Sequence, residues 1–179
     1  MTVKNQFFND THKAIVCLVL MLFSAPAPAQ SQDELFAALK NAPDEMTARQ
    51  LEDQIWRGWF KSGDADIDEL MQQAMQRRGV YDFNGALELL DEVIRLKPDY
   101  AEAWNQRATV YFNQGEHEKS LEAIARTLEL EPRHFGSMAG RAVIRLQQAK
   151  PALARQNVME AMKIHPFLKE RAFFPDLNR

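Results

Sequence analysis

Four histidines and one cysteine are the side chains of this sequence best suited to holding a metal or attacking a carbonyl. Their spacing argues against both. His117-Glu118 opens as a zinc-protease motif would, but the run continues Lys119-Ser120-Leu121, and the second His that must share the helix face is missing. No other His pair has ligand spacing on one face; His134 and His165 each stand at the end of a different apolar segment. Cys17 lies inside an unbroken apolar run, Ala14 to Phe23, behind Ile15 and Val16. A lipoprotein site needs a small residue immediately before its Cys. There is no GxGxxG, P-loop or GxSxG. Arg133-His134 precedes a helix start, where free amides favour an anion, although charged runs are more often solvated faces. Gly136-Ser-Met-Ala-Gly140 is a GxxxG, which outside a membrane lets two soluble helices approach closely. No catalytic residue, metal or cofactor is expected, and a hydrolase or ligand-binding envelope protein with an unrecognised polar site is the alternative.

The 179 residues are 46% apolar and 26% charged with a net charge of −3, the balance of an ordinary folded domain. Mild acidity argues against a nucleic-acid partner. The opening residues read as an address: Lys4 to Lys13 polar, Ala14 to Phe23 apolar, then Ser24 to Ala29 with the small-x-small pattern Ala27-Pro28-Ala29. Ten apolar residues make a helix of about 15 Å, half of a bilayer's hydrocarbon core, so no permanent span is expected. The reading is a signal peptide over 1–29, cleaved before Gln30, and export to the periplasm. Cleavage removes the only Cys and leaves 20 basic against 24 acidic residues.

What positions any site is a repeat. Pro98, Pro132 and Pro166 stand 34 residues apart, each closing an amphipathic helix. The stripes are Ala86, Leu87, Leu90, Val93, Ile94 and Leu96; Ser120, Leu121, Ile124, Leu128 and Leu130; and Ala154, Val158, Ala161, Met162 and Ile164. A second helix precedes each, over 68–78, 101–113 and 136–148. Capping boxes are expected at Asp66–Glu69 and Asp99–Glu102, and a third at Ser31–Glu34.

On these residues the chain resembles the tetratricopeptide repeat (TPR) family, with repeats at 67–100, 101–134 and 135–168. The middle one carries the family pattern most fully: Trp104, Ala108 and Tyr111, the turn Gly115-Glu-His-Glu-Lys-Ser120, then Pro132. Ala74 and Ala86, like Ala142 and Ala154, keep small residues where paired helices must touch, while Tyr81 and Ala149 replace the turn Gly. The chain as a whole is also similar to short exported bacterial TPR proteins, which implies no activity. The fold expected is an all-α, right-handed solenoid of three antiparallel helix pairs. Helices over 33–40 and 45–60 read as a degenerate repeat, 30–66, that caps the N-terminal end, and residues 169–179 as the C-terminal cap and tail.

The resemblance implies a concave groove lined by the first helix of each repeat. Its rows are Asp68, Met71, Met75 and Arg78; Glu102, Asn105, Thr109 and Phe112; and Gly136, Ala139, Val143 and Leu146, with Gln106 beside them. Chaperone-tail-binding TPRs hold a terminal carboxylate there with a Lys, Arg and Asn clamp. Here Met71, Met75, Gly136 and Gly140 stand at clamp positions. An adaptor binding an unidentified peptide or helix is the expected function, through Met71, Met75, Arg78, Asn105, Gln106, Thr109, Phe112, Val143 and Leu146. Two other occupancies stay open: the chain's own terminal helices in the groove, and self-association through Trp56 and Trp59.

Overall fold

The computed structural model describes residues 30–178, so the signal-peptide reading, Cys17 and His12 lie outside the described residues. The described residues form eight α-helices and two short 3-10 turns, with no strand among them. A helical hairpin comes first, α1 (Gln32–Lys40) and α2 (Glu45–Trp59). Three pairs follow: α3 (Ala65–Gly79) with α4 (Phe83–Leu96), α5 (Ala101–Asn113) with α6 (His117–Leu130), and α7 (Phe135–Gln147) with α8 (Pro151–Met162). Single 3-10 turns over Lys169–Phe173 and Pro175–Asn178 end the chain.

Each pair closes on small residues at the expected positions. Ala74 and Ala86, Ala108 and Ser120, and Ala142 and Ala154 are all essentially inaccessible. The Ser120 hydroxyl donates to the Ala108 carbonyl at 2.8 Å, which satisfies the one polar group in these contacts. The turns between helices need a left-handed residue. Gly115 takes φ +78° freely, but Tyr81 (φ 62°) and Ala149 (φ 56°) hold it at a steric cost of about 1 kcal/mol each.

The helix starts differ from expectation in an instructive way. Ser31 and Glu34 form their capping box as read. For α3 the cap is Asp64, which accepts from the amides of Asp66 and Ile67, not Asp66. The Asp99–Glu102 box does not form, because Glu102 is turned inward and α5 starts without a side-chain cap. The start that lacked a box, α7, is capped by the His134 ring, whose Nδ1 accepts from the Ser137 amide at 3.1 Å.

The hairpin is where the expected architecture needs correction. Its apolar residues Leu35, Phe36, Leu39, Ile55 and Trp59 share one core with Phe135, Ala139, Val158, Ala161 and Leu168 of the last repeat. The buried core of the first repeat, around Ile67, Met71, Leu90 and Val93, includes no hairpin residue. The 30–66 segment therefore does not seal the N-terminal end of the array. Trp56 and Trp59 find their aromatic partners, His134 and Phe135, at the far repeat. The turn through Gly63 (φ +86°) sends the helix back across the array.

Candidate functional site

The concave face has two halves with different chemistry. Over the first turns of α5 and α7 lies α2, which crosses them in reverse chain order. Near its end, Trp59 and Lys61 line a crevice with Tyr100, Ala101 and Glu102. One turn earlier, Trp56 sits on Gly136, so close that a Cβ there would fall 2.7 Å from the indole. At its middle Glu52 bonds His165 at 3.2 Å, and at its start Glu45 lies 3.9 Å from Arg171.

Beneath this strap is a closed polar cluster. Glu102, 1% exposed, accepts from Asn105 Nδ2 (3.1 Å) and Gln106 Nε2 (2.6 Å) through one oxygen, and bonds His134 Nε2 (3.0 Å) through the other. Because Nδ1 of His134 accepts from a backbone amide, its proton is on Nε2 and points at the carboxylate. Trp59 stacks on the same imidazole, 3.9 Å between centroids and 5° from parallel. Ser137 donates to Asn105 Oδ1 at 2.7 Å, and Arg78 donates to Gln106 Oε1. Burial pushes the Arg78 guanidinium below its usual range, against the pull of Glu102. Burial, then the charges of Glu102 and Asp68, pushes the Tyr100 hydroxyl up. At the strap's middle, the hydrogen bond from His165 holds the Glu52 carboxyl below the usual Glu value.

The second halves of the same helices are open. Between α5, α6 and α7 is a cavity of about 200 Å³ walled by Phe112, Ile124, Val143 and Ile144, with Asn105, Thr109 and Ser137 on its polar side. A separate shallow hollow along α3 is lined by Met75, Gln72 and Gln76 with Phe60.

The expected groove residues divide accordingly. Met75, Thr109, Phe112, Val143 and Leu146 are partly exposed. Met71 is 1% exposed and belongs to the first repeat's core. Asn105, Gln106 and Arg78 are engaged with one another and with Glu102, so they are not free hydrogen-bonding groups for a partner. Trp56 and Trp59 make ring contacts with His134, Phe135 and Phe36 within the chain. Arg133 pairs with Glu131 and Asp33 and covers the Phe36 ring, leaving no vacancy for an anion. His134 and His165 serve different carboxylates, and among the described residues no group of three His, Cys, Asp or Glu could hold a metal. No described helix is long and apolar enough to cross a membrane. The sequence left open that the chain's own terminal helices occupy the groove; what it did not name in that role are Glu52, Trp56 and Trp59 of α2. A signal existed: Gly136 and Gly140, side-chain-free positions in a lining row, make room for something.

Comparison with known proteins agrees with this architecture. A tetratricopeptide repeat model matches residues 101–134 and a TPR repeat model residues 82–115. A TPR repeat-containing protein of Rhizobium etli is 38% identical over 143 residues, covering 80% of this chain and 70% of its own. This chain belongs to the TPR family. Among solved structures, the first TPR of Spaghetti bound to an HSP90 peptide superposes with a TM-score of 0.58 at 12% identity, over 64% of this chain and 93% of that one. MamA superposes with a TM-score of 0.53 at 16% identity, over 80% of each chain. At those identities the likeness is one of fold: an all-α TPR solenoid.

Proposed function

We propose that this TPR protein is an exported, periplasmic interaction adaptor that holds a peptide or partner helix along the open half of its groove and carries out no chemistry of its own. The observation that carries the reading is the cavity between α5 and α7. Its walls are Phe112, Ile124, Val143 and Ile144, and its volume of about 200 Å³ suits one bulky apolar side chain. Met75 lines the separate hollow along α3, and Met adapts to varied shapes. The Spaghetti domain's HSP90 peptide supports a peptide ligand for this fold. The mode of capture differs from a carboxylate clamp: Met71 and Met75 fill two clamp positions, and Trp56 covers Gly136 at another. The buried His134–Glu102 pair supports a scaffold role, since both side chains are fully inaccessible and already bonded. The N-terminal sequence supports export, with the working chain beginning at Gln30.

Capture from envelope extract tests the reading. Immobilised protein should retain a specific partner, and Met75→Glu with Phe112→Glu should cut retention at least tenfold. Retention untouched by the two charges would remove the groove from the function. Intact mass of the exported protein should show residues 1–29 absent; their presence would overturn the cleavage site.

A further inference from the structure

The strap itself carries information about what the groove accepts. Three buried side-chain polar atoms among the described residues have no hydrogen-bond partner: Trp59 Nε1, Tyr100 Oη and His165 Nδ1. All three belong to residues at the contact between α2 and the array. Trp59 and Tyr100 line the crevice at one end of the strap, and His165 bonds Glu52 at its middle. Buried polar groups are normally satisfied, so this contact is the imperfectly matched one in an otherwise well-paired molecule. The tether points the same way. Residues 60–64 are mostly exposed and contain Gly63, and the hairpin shares no buried core with the repeat it is tethered to. Leaving the seat would break contacts to the start of α5, to α7, to α8 and to residues 165–171 without unpacking α3–α4.

The seat is nonetheless built for a helix of one pattern. Gly136 admits an indole against the backbone, His134 offers a flat ring to a second indole one turn further, and His165 offers a nitrogen to a carboxylate four residues before the first. We propose that α2 is a displaceable internal ligand, and that the seat takes from a partner an amphipathic helix with the same Glu-x3-Trp-x2-Trp face. This rests on the adaptor reading and adds its regulation: a foreign helix must compete with the strap, and the two occupancies exclude each other.

The probe is a labelled synthetic peptide of residues 44–61, titrated by fluorescence anisotropy against the full chain. Trp56→Ala with Trp59→Ala should bind it at least tenfold more tightly than wild type, with repeat helicity retained by circular dichroism. Adding Gly136→Val should abolish the gain. Equal or weaker binding to the double variant overturns the proposal. If the double variant loses helix beyond the hairpin, Gly136→Ala in the otherwise unaltered chain replaces it. In that variant hydrogen exchange should quicken at least tenfold in α2 and stay unchanged in α3 to α6; exchange that quickens throughout, or not at all, overturns the displaceable strap. A wild-type dimer dispersed by the peptide would identify the second copy's α2 as the occupant and overturn the foreign helix. Partner capture by the open half, read through Phe112→Glu, is scored separately, so a fixed strap leaves the adaptor reading standing.

Discussion

The first turns of α5 and α7 and the last turns of the same helices share backbone, register and groove, yet they behave as different materials. The first turns hold Glu102, Asn105, His134 and Ser137 in a closed network under two indoles. The last turns present Phe112 and Val143, partly exposed and walling an apolar cavity. Polar residues in a concave row are commonly taken as contacts for a partner. Here they hold the protein together, and the apolar residues are the ones left facing outward. A lining row is therefore sorted by whether its polar groups have internal partners, and position on the concave face alone does not decide.

Removing one residue from each half should separate them most clearly. Glu102→Ala strands donors from Asn105, Gln106 and His134 in an inaccessible place, and should cost about 3–5 kcal/mol by urea denaturation. Phe112→Ala removes a partly exposed ring and should cost about 1 kcal/mol. Equal losses would mean that the covered network is no more structural than the open face.

A smaller and opposite effect is expected at the turn that follows the open end of α7. Ala149 holds φ 56°, a conformation that glycine adopts without strain. Ala149→Gly should stabilise the chain by about 1 kcal/mol, checked by the shift in urea midpoint, and should leave α2 exchange unchanged because the strap lies over the helices' first turns. Tyr81→Gly relieves the same strain but forfeits the ring contact with Phe83, so its gain should be smaller.

The repeat was legible because its signal is periodic and local. Three prolines 34 residues apart and alanines at matching columns fix which helices pair, and those alanines are buried as read. The strap was not legible for the reverse reason. The contacts that seat the hairpin join Asp33 of α1 to Arg133 and Glu52 of α2 to His165, 100 and 113 residues apart, with no period linking them. The Asp99-Tyr-Ala-Glu102 pattern misled for a related reason: a capping box is a local preference worth about 1 kcal/mol, and the buried His134 made a stronger offer to the same carboxylate. Of the expected groove residues, the apolar Phe112 and Val143 remained partly exposed. The polar Asn105 and Gln106 did not, because the buried Glu102, with Ser137 and Arg78 of the neighbouring repeats, takes up their hydrogen bonds.

The smallest effect concerns how firmly the covered half is closed at acid pH. In the folded chain the Glu52 carboxyl titrates below its ordinary value of 4.5, chiefly through the hydrogen bond from His165, with help from the charges of His165 and Lys169 and the Trp56 indole, and against partial burial. A depressed carboxyl binds protons more weakly folded than unfolded, so the stability it contributes is present above the unfolded value and is lost as pH falls through the folded one. About a third of the side chain is exposed, so solvent screening keeps the contribution on the order of 0.5 kcal/mol. Glu52→Gln keeps the shape of the contact and loses the charge. Its deficit in urea midpoint relative to wild type should shrink as pH falls below 4.5, with α2 amides showing the change before those of α3. A deficit that does not change with pH would mean that the strap is held by its indoles alone, and that the Glu52–His165 bond is a consequence of seating rather than a part of it.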